Sequence, residues 1–275
     1  MQAAPSPQAR SELVARLRAA GCVFAEDEAQ LLIAAARTPA DLAAMADRRA
    51  AGLPLEQVIG WAEFCGLRIA VAPGVFVPRR RTEFLVRRAV ALATAEGAPA
   101  GPLVVVDLCC GTGAVGAALA ASLHSANVDA EVYASDVDPA AVACARRNLK
   151  AAGGHVYQGD LYAPLPAALR GRVTLLAANV PYIPTGQIAL LPAEARLHEP
   201  RVALDGGADG LDVLRRVAAA APEWLAPGGH LLTETSERQA PQAAEIMAGS
   251  GLAAQVTTSD EPSATVVTGT RPAAR

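Results

Sequence analysis

Lysine is nearly absent: Lys150 is the single one in 275 residues, and arginine supplies almost all of the 24 basic side chains. Against 27 acids the formal charge is −3, so no overall field draws a polyanion, and a nucleic-acid substrate would need a local basic patch. Arg79, Arg80 and Arg81 with Arg87 and Arg88 are the one candidate run, and the last two read as solvated helix surface. The five cysteines, Cys22, Cys65, Cys109, Cys110 and Cys144, lack the paired spacing of a zinc site or a disulfide framework and read as reduced and mostly buried. His124, His155, His198 and His230 form no ligand cluster, so no metal is expected. No stretch is long and apolar enough to cross a bilayer, and Met1 to Gln8 lack the charged and apolar regions of a signal peptide, which makes cytoplasm the expected location. No internal repeat is evident. What is abundant is apolar residues, 52% of the chain, enough to bury one full α/β core plus a small accessory unit.

Periodicity divides the chain in two. Residues 11–20, 27–36 and 41–51 each space apolar side chains near the helical period, with Thr38-Pro39 as punctuation. Residues 58–77 alternate, with turn signals at Gly66 and Pro73-Gly74, and predict a β-hairpin that joins the two parts; 83–94 predicts a helix. From residue 103 strands and helices take turns: strands at 103–108, 131–135, 155–158, 173–178, 230–235, 253–258 and 264–268, helices from Ala114, from Asp138-Pro139, over 211–221 and over 239–248. Such alternation argues for right-handed parallel crossovers in an open α/β sheet.

The chemistry of such sheets lies at the carboxyl ends of the strands. The apolar strand at 103–108 delivers Asp107, Cys109, Cys110, Gly111, Thr112 and Gly113 to a strand-to-helix turn. Glycines there let backbone approach a ligand, and the following helix start offers unpaired N–H groups. The spacing of Gly111, Gly113 and Gly116 differs from the dinucleotide fingerprint, so a nucleotide-like cofactor without a pyrophosphate fits better. The next strand brings Asp136, whose carboxylate can accept both hydroxyls of a ribose; Asp138 then reads as an N-cap with Pro139 in the first turn. A third strand ends at Gly159, Asp160 and Leu161, one carboxylate and one apolar side chain to meet an adenine. The fourth strand, Val173–Ala178, is followed by Asn179, Val180, Pro181 and Tyr182. Alone, Asn-x-Pro is an ordinary turn. In this context an amide oxygen, a backbone carbonyl freed by the following proline and a flat aromatic face describe a pocket for a planar amino group.

From about Arg48 to Thr270 these residues resemble the class I S-adenosylmethionine-dependent methyltransferases, and within them the glutamine N5-methyltransferases of peptide-chain release factors. Pro78 to Glu83 is similar to that family's Pro-Arg-Pro-Glu-Thr-Glu, Asp107 to Gly113 to Asp-Leu-Gly-x-Gly-x-Gly, and Asn179 to Tyr182 to Asn-Pro-Pro-Tyr. Glu199-Pro200, Ala203-Leu204, Gly207 and Asp209-Gly210 match a stretch that follows the active-site loop. The resemblance implies a Rossmann-like seven-stranded sheet with an antiparallel last strand. It divides the chain into a helical substrate-recognition domain over 1–57, a hairpin linker over 58–77 and a methyltransferase domain over 78–275. Cys109 to Gly113 would line the methionine part of S-adenosyl-L-methionine, Asp136 the ribose, Asp160 and Leu161 the adenine, and Asn179 to Tyr182 the acceptor amide, with Asp107 and Asn179 also counted among the cofactor-binding residues. Arg79, Thr82 and Glu83 would sit on a loop near the cofactor. Three departures mark this chain: Val180 for a proline, Arg80 and Arg81 for a proline and an acid, and Cys109-Cys110 for a glycine and a small residue.

The implied reaction is methyl transfer to the glutamine amide in the Gly-Gly-Gln loop of a release factor. Asn179 would position and polarise the NH2 rather than act as a base. A nucleic-acid adenine N6-methyltransferase offers the same planar NH2 but needs a basic recognition region, which a chain with one lysine does not carry. A small-molecule methyltransferase and a catalytically silent cofactor-binding module stand as further alternatives; intact Asn179 and Tyr182 speak against the last. No direct nucleic-acid binding, no membrane and a monomer are expected.

Overall fold

A computed structural model describes residues 6–95, 101–261 and 263–273. The chain opens with α1 (Pro7–Ala19), α2 (Ala25–Ala35), α3 (Pro39–Ala50) and the one-turn α4 (Leu55–Ile59). α1 begins four residues before the apolar spacing does, because Ser6 Oγ accepts from Ala9 N at 3.2 Å and Pro7 supplies a first-turn φ. Thr38 caps α3 in the same way, accepting from Asp41 N at 3.0 Å ahead of Pro39. Leu13, Leu17, Ala29, Leu32, Met45 and Val58 pack these helices into their own apolar cluster. Next, β1 (Trp61–Phe64) and β2 (Leu67–Ala70) pair antiparallel as a hairpin. Its two turn residues, Cys65 and Gly66, have φ of 50° and 72°, the primed-turn geometry that matches strand twist. The hairpin is thus shorter than the 58–77 the alternation predicts: α4 takes its start, and 71–79 runs on as irregular chain.

The sheet domain follows as α5 (Glu83–Ala95), β3 (Leu103–Leu108), α6 (Ala114–Ser125), β4 (Ala130–Asp136), α7 (Pro139–Leu149), β5 (His155–Gln158), β6 (Val173–Ala178), α8 (Ala193–His198), α9 (Asp212–Trp224), β7 (Leu225–Thr235), α10 (Ala240–Gly249), β8 (Ala253–Ser259) and β9 (Ala264–Thr270). The strand order is β5-β4-β3-β6-β7-β9-β8, with β9 antiparallel to both neighbours and the five strands from β5 to β7 parallel. β3 is buried along its whole length, as a central parallel strand must be. Its Val105 packs with α5, α6 and α7, through Leu85, Leu119 and Leu149; Val104 and Val106 pack on the other face with α9 and α10, through Leu214 and Met247. Asp138 Oδ1 accepts from Ala140 N at 2.8 Å and Pro139 starts α7, as the sequence predicts.

From β3 the chain winds outward to β4 and β5, then returns to lay β6 on the opposite side of β3. The loops after β3 and β6 therefore leave in opposite directions, and a crevice opens between them at the carboxyl edge of the sheet. Over that crevice lies the segment 185–203, made of short 3-10 turns and α8, too short for any periodicity to betray. β7 starts at Leu225, before the expected residue 230, and its pairing with β6 slips between Val173 and Leu175 where Pro227, Gly228 and Gly229 bulge.

Candidate active site

The crevice is a cavity of about 520 Å3, within the range of small-molecule sites. One end is built by the turn after β3. Asp107 is 1% exposed and its Oδ2 accepts from Gly116 N at 2.8 Å, tying the strand end to the first turns of α6. Burial pushes its carboxyl up to about 7, and the charge of Asp136 adds to the shift. Cys109 and Gly111 both have φ of 53°, and Gly113 has φ of 73° with little space for a Cβ, since one there would lie 3.0 Å from Ala145 Cβ. A side chain thus occupies a left-handed position at Cys109, the place where the resembling family carries glycine. Burial raises both thiols, Cys109 and Cys110, so they stay protonated and uncharged against the cavity.

At the end of β4, Asp136 Oδ2 accepts from Gly111 N at 2.8 Å and its Oδ1 from Asp138 N at 2.9 Å. Those bonds fix the carboxylate plane and leave a lone pair on each oxygen for a further donor. Burial raises this carboxyl above its ordinary value, and the two backbone donors oppose the rise. Val137 and Leu161 supply apolar wall beside it. Asp160 also lines the cavity, but its Oδ2 is engaged by the Arg216 guanidinium at the rim, so only its other oxygen is free of that pair.

The opposite end is the turn after β6. Asn179 Nδ2 donates to Thr82 Oγ1 at 3.4 Å, while Asn179 Oδ1 is buried with no hydrogen-bond partner. A buried orphan acceptor is costly and rare in a finished fold. Val180 is buried and, among the described residues, no donor reaches its carbonyl. Tyr182 Oη accepts from Arg81 Nη2 at 2.7 Å and donates to Glu234 Oε1 at 2.9 Å, which locks the ring at the side of the cavity. Burial raises this phenol, so it remains protonated. Glu234, 2% exposed near the end of β7, also accepts from Arg81 Nε at 2.7 Å and from Thr82 Oγ1.

Of the residues the sequence singled out, Arg79, Thr82, Asp107, Cys109, Cys110, Gly111, Thr112, Asp136, Asp160, Leu161, Asn179, Val180, Pro181 and Tyr182 all line this one cavity. Gly113 and Glu83 do not. Gly113 caps α6, and Glu83 Oε1 accepts from Cys65 N at 3.0 Å, holding the hairpin turn instead. Sequence reasoning missed Phe64, Phe76, Glu234 and the α8 residues Glu194 and Ala195, and it named Glu199 within a family stretch without giving it a place in the site. Glu199 holds the loop entering the site, accepting from Val77 N at 3.2 Å and pairing with Arg79 at 2.5 Å. Glu194 on α8 lines the cavity and pairs at 3.1 Å with Arg49 of α3, whose guanidinium also grips Glu28 of α2 at 2.6 Å. The helical bundle is thereby tied to the cavity roof. Each arginine at the cavity is matched by an acid, Arg79 by Glu199, Arg81 by Glu234 and Arg216 by Asp160, which leaves Asp136 unpaired and the cavity suited to a cationic ligand. Among the described residues no group of metal-ligating side chains forms, and no helix is long and apolar enough to cross a membrane.

A family model described as a methyltransferase small domain matches residues 69–187, from the hairpin through the turn that carries Asn179. A protein of Moorella thermoacetica called release factor glutamine methyltransferase is 39% identical over 255 residues, 84% of this chain and 86% of that protein. A Streptomyces pristinaespiralis protein called 4-amino-L-phenylalanine/4-methylamino-L-phenylalanine methyltransferase is 39% identical over 194 residues, 70% of this chain and 64% of that protein. Among solved structures, a 16S rRNA N2 G1207 methyltransferase of T. thermophilus in complex with AdoMet and guanosine superposes with a TM-score of 0.53 at 20% identity, over 77% of this chain and 49% of that one. That likeness concerns the sheet and its helices.

Proposed function

The chain belongs to the release factor glutamine methyltransferases, and from that premise we propose that its cavity binds S-adenosylmethionine at the β3–β4 end and the glutamine amide of a release factor's Gly-Gly-Gln loop at the Asn179 end. The observation that carries this reading is the orphaned Asn179 Oδ1: a buried acceptor at the cavity wall, held from behind and lacking a donor. A carboxamide NH2 supplies one.

The donor end fits the cofactor on chemistry alone. Asp136 offers acceptors for ribose hydroxyls, Val137 and Leu161 an apolar wall for adenine, and Gly111 a backbone with open space before it. Asp107 through Thr112 would hold the methionine part. When bound, S-adenosylmethionine supplies a methyl group on a positively charged sulfur. Protonated Cys109 and Cys110 present no thiolate to intercept it.

An amide nitrogen is a poor nucleophile because its lone pair is delocalised into the carbonyl. Asn179 Oδ1 and the Val180 carbonyl each accept one N–H, which draws electron density onto nitrogen and leaves the lone pair facing away from both acceptors. Fixing the NH2 in this way supplies part of the advantage of a near-attack arrangement, about 7 to 11 kcal/mol in the best intramolecular cases. The Tyr182 ring, held by Arg81 and Glu234, closes the side of the amide plane. No strong base is needed: the N–C bond forms as the S–CH3 bond breaks, a nitrogen proton becomes acidic only as nitrogen forms that fourth bond, and it then passes to solvent water, with Asn179 and the Val180 carbonyl only orienting the NH2. The helices of 1–57 act as the substrate-recognition unit, supported by their separate core and by the Arg49–Glu194 tie to the roof; 58–77 is the linker and 78–275 the methyltransferase domain. The chain works as a cytoplasmic monomer that does not itself bind nucleic acid, in keeping with one lysine and arginines spent in ion pairs.

A second reading has its own support in the Streptomyces relative, whose name gives it an aromatic primary amine as acceptor. One experiment separates the two. Purified protein is incubated with labelled S-adenosylmethionine and, in parallel, a release factor, 4-aminophenylalanine or bulk RNA, and products are read by mass spectrometry. One added methyl on the Gly-Gly-Gln peptide is the expected result. Label on the amino acid or on RNA, with none on the peptide, would replace the proposal.

A further inference from the structure

Glu234 is acidic and almost wholly buried, and besides holding the Tyr182 ring it has a further partner at the cavity. Its Oε1 receives two donors, Arg81 Nε and Tyr182 Oη, and its Oε2 receives the Thr82 hydroxyl. A carboxylate has no proton to give, so Thr82 must spend its only hydrogen on Oε2. The Thr82 oxygen then has lone pairs alone to show to Asn179, 3.4 Å away, and the Asn179 group facing it has to be the NH2. The amide oxygen is left on the side away from Thr82, buried and without a hydrogen-bond partner, in a residue that lines the cavity.

Resting on the function proposed above, we infer that Glu234 is a positioning residue that sets, through Thr82, which end of the Asn179 amide meets the acceptor, so that the site receives an NH2 and rejects a hydrogen-bond acceptor. Arg81 Nε, 2.7 Å from Glu234 Oε1, occupies that oxygen together with Tyr182 and leaves Oε2 to Thr82, which keeps the relay pointed one way. The resembling family carries an acid at this position, so the direction of the relay in this chain depends on an arginine of its own.

The arrangement makes a sharp statement about Glu234→Gln, which changes no shape. Oε1 faces two donors and must stay oxygen, so the new NH2 falls at the Oε2 position and donates to Thr82. The Thr82 hydroxyl then turns and donates to Asn179, whose amide flips and offers NH2 to the cavity. Turnover should fall by about a hundredfold or more, the scale of a misplaced buried hydrogen bond with two unlike groups opposed, while cofactor affinity by calorimetry stays within twofold. Thr82→Val should cost about tenfold, and Thr82→Ser should recover most of that loss. Neutron diffraction of the unsubstituted protein reads the same relay without turnover: deuterons are expected on Asn179 Nδ2 facing Thr82 and on Thr82 Oγ1 facing Glu234. Wild-type turnover in E234Q, equal loss of turnover and cofactor affinity, no recovery in T82S, or deuterons placed the opposite way would each overturn the inference. If wild-type protein methylates an acceptor other than the release factor, the functional reading fails, and the variants are scored on that acceptor instead.

Discussion

Replacing Asp107 by Asn should destabilise the protein in acid and stabilise it in mild base, and the size of the swing follows from burial. The native carboxyl holds its proton until about pH 7, whereas the unfolded chain releases it near the ordinary 3.8. Between those values the native state binds one proton more than the unfolded state, so unfolding free energy falls as pH rises, by about 4 kcal/mol in total from 3 units at 1.36 kcal/mol each. Most of that loss, about 2 to 3 kcal/mol, falls between pH 5 and pH 8. Asn titrates nowhere in this range. It can keep the bond from Gly116 N but puts an NH2 where a carboxylate oxygen was, a penalty of about 1 to 3 kcal/mol that does not change with pH. The difference between the two proteins should therefore move in favour of Asn by about 2 to 3 kcal/mol from pH 5 to pH 8. Urea unfolding followed by circular dichroism, without cofactor and at unit steps of pH, measures it. Parallel stability curves for the two proteins would refute the reasoning, because they would mean that Asp107 is ionised throughout.

Two backbone positions carry further predictions. Cys109 holds a side chain at φ 53°, so Cys109→Gly should raise stability by up to about 1 kcal/mol, read as a shift in thermal midpoint; a lower midpoint would show that its packing outweighs its strain. Gly210 has φ of 81°, and a Cβ there would collide with the Tyr182 carbonyl, so Gly210→Ala should displace the acceptor turn and lower turnover at least about tenfold with cofactor affinity kept. Unchanged turnover would detach that turn from catalysis.

Most of the scaffold was legible because its signals are local. Asp138 before Pro139, the apolar strands at 103–108 and 173–178, and the residues that end each parallel strand could be read from neighbours in the chain, and their convergence follows from the geometry of an open parallel sheet. Asn179, Asp136 and Asp107 were found by that logic. Glu234 was not, since within a strand rich in threonine it looks like an outward-facing polar residue, and its partners Arg81 and Thr82 lie before the sheet begins. Glu83 misled for the opposite reason: it sits beside Thr82 in a motif, yet one step along the chain turns its carboxylate to the hairpin. The roof was illegible because α8 spans six residues, and its attachment rests on Arg49, which reads as a solvated helix residue until Glu28 and Glu194 enclose it.

Asn179 Oδ1 is the proposed acceptor for a substrate N–H. Asn179→Ala, assayed for methylation of a release factor and titrated with S-adenosylmethionine by calorimetry, addresses it most directly, with Asp136→Ala beside it. Turnover should fall at least about a hundredfold in the first variant with cofactor affinity within twofold of the parent, and the second should lose affinity first. Retained turnover in Asn179→Ala, or a loss of affinity that matches its loss of turnover, would contradict the account.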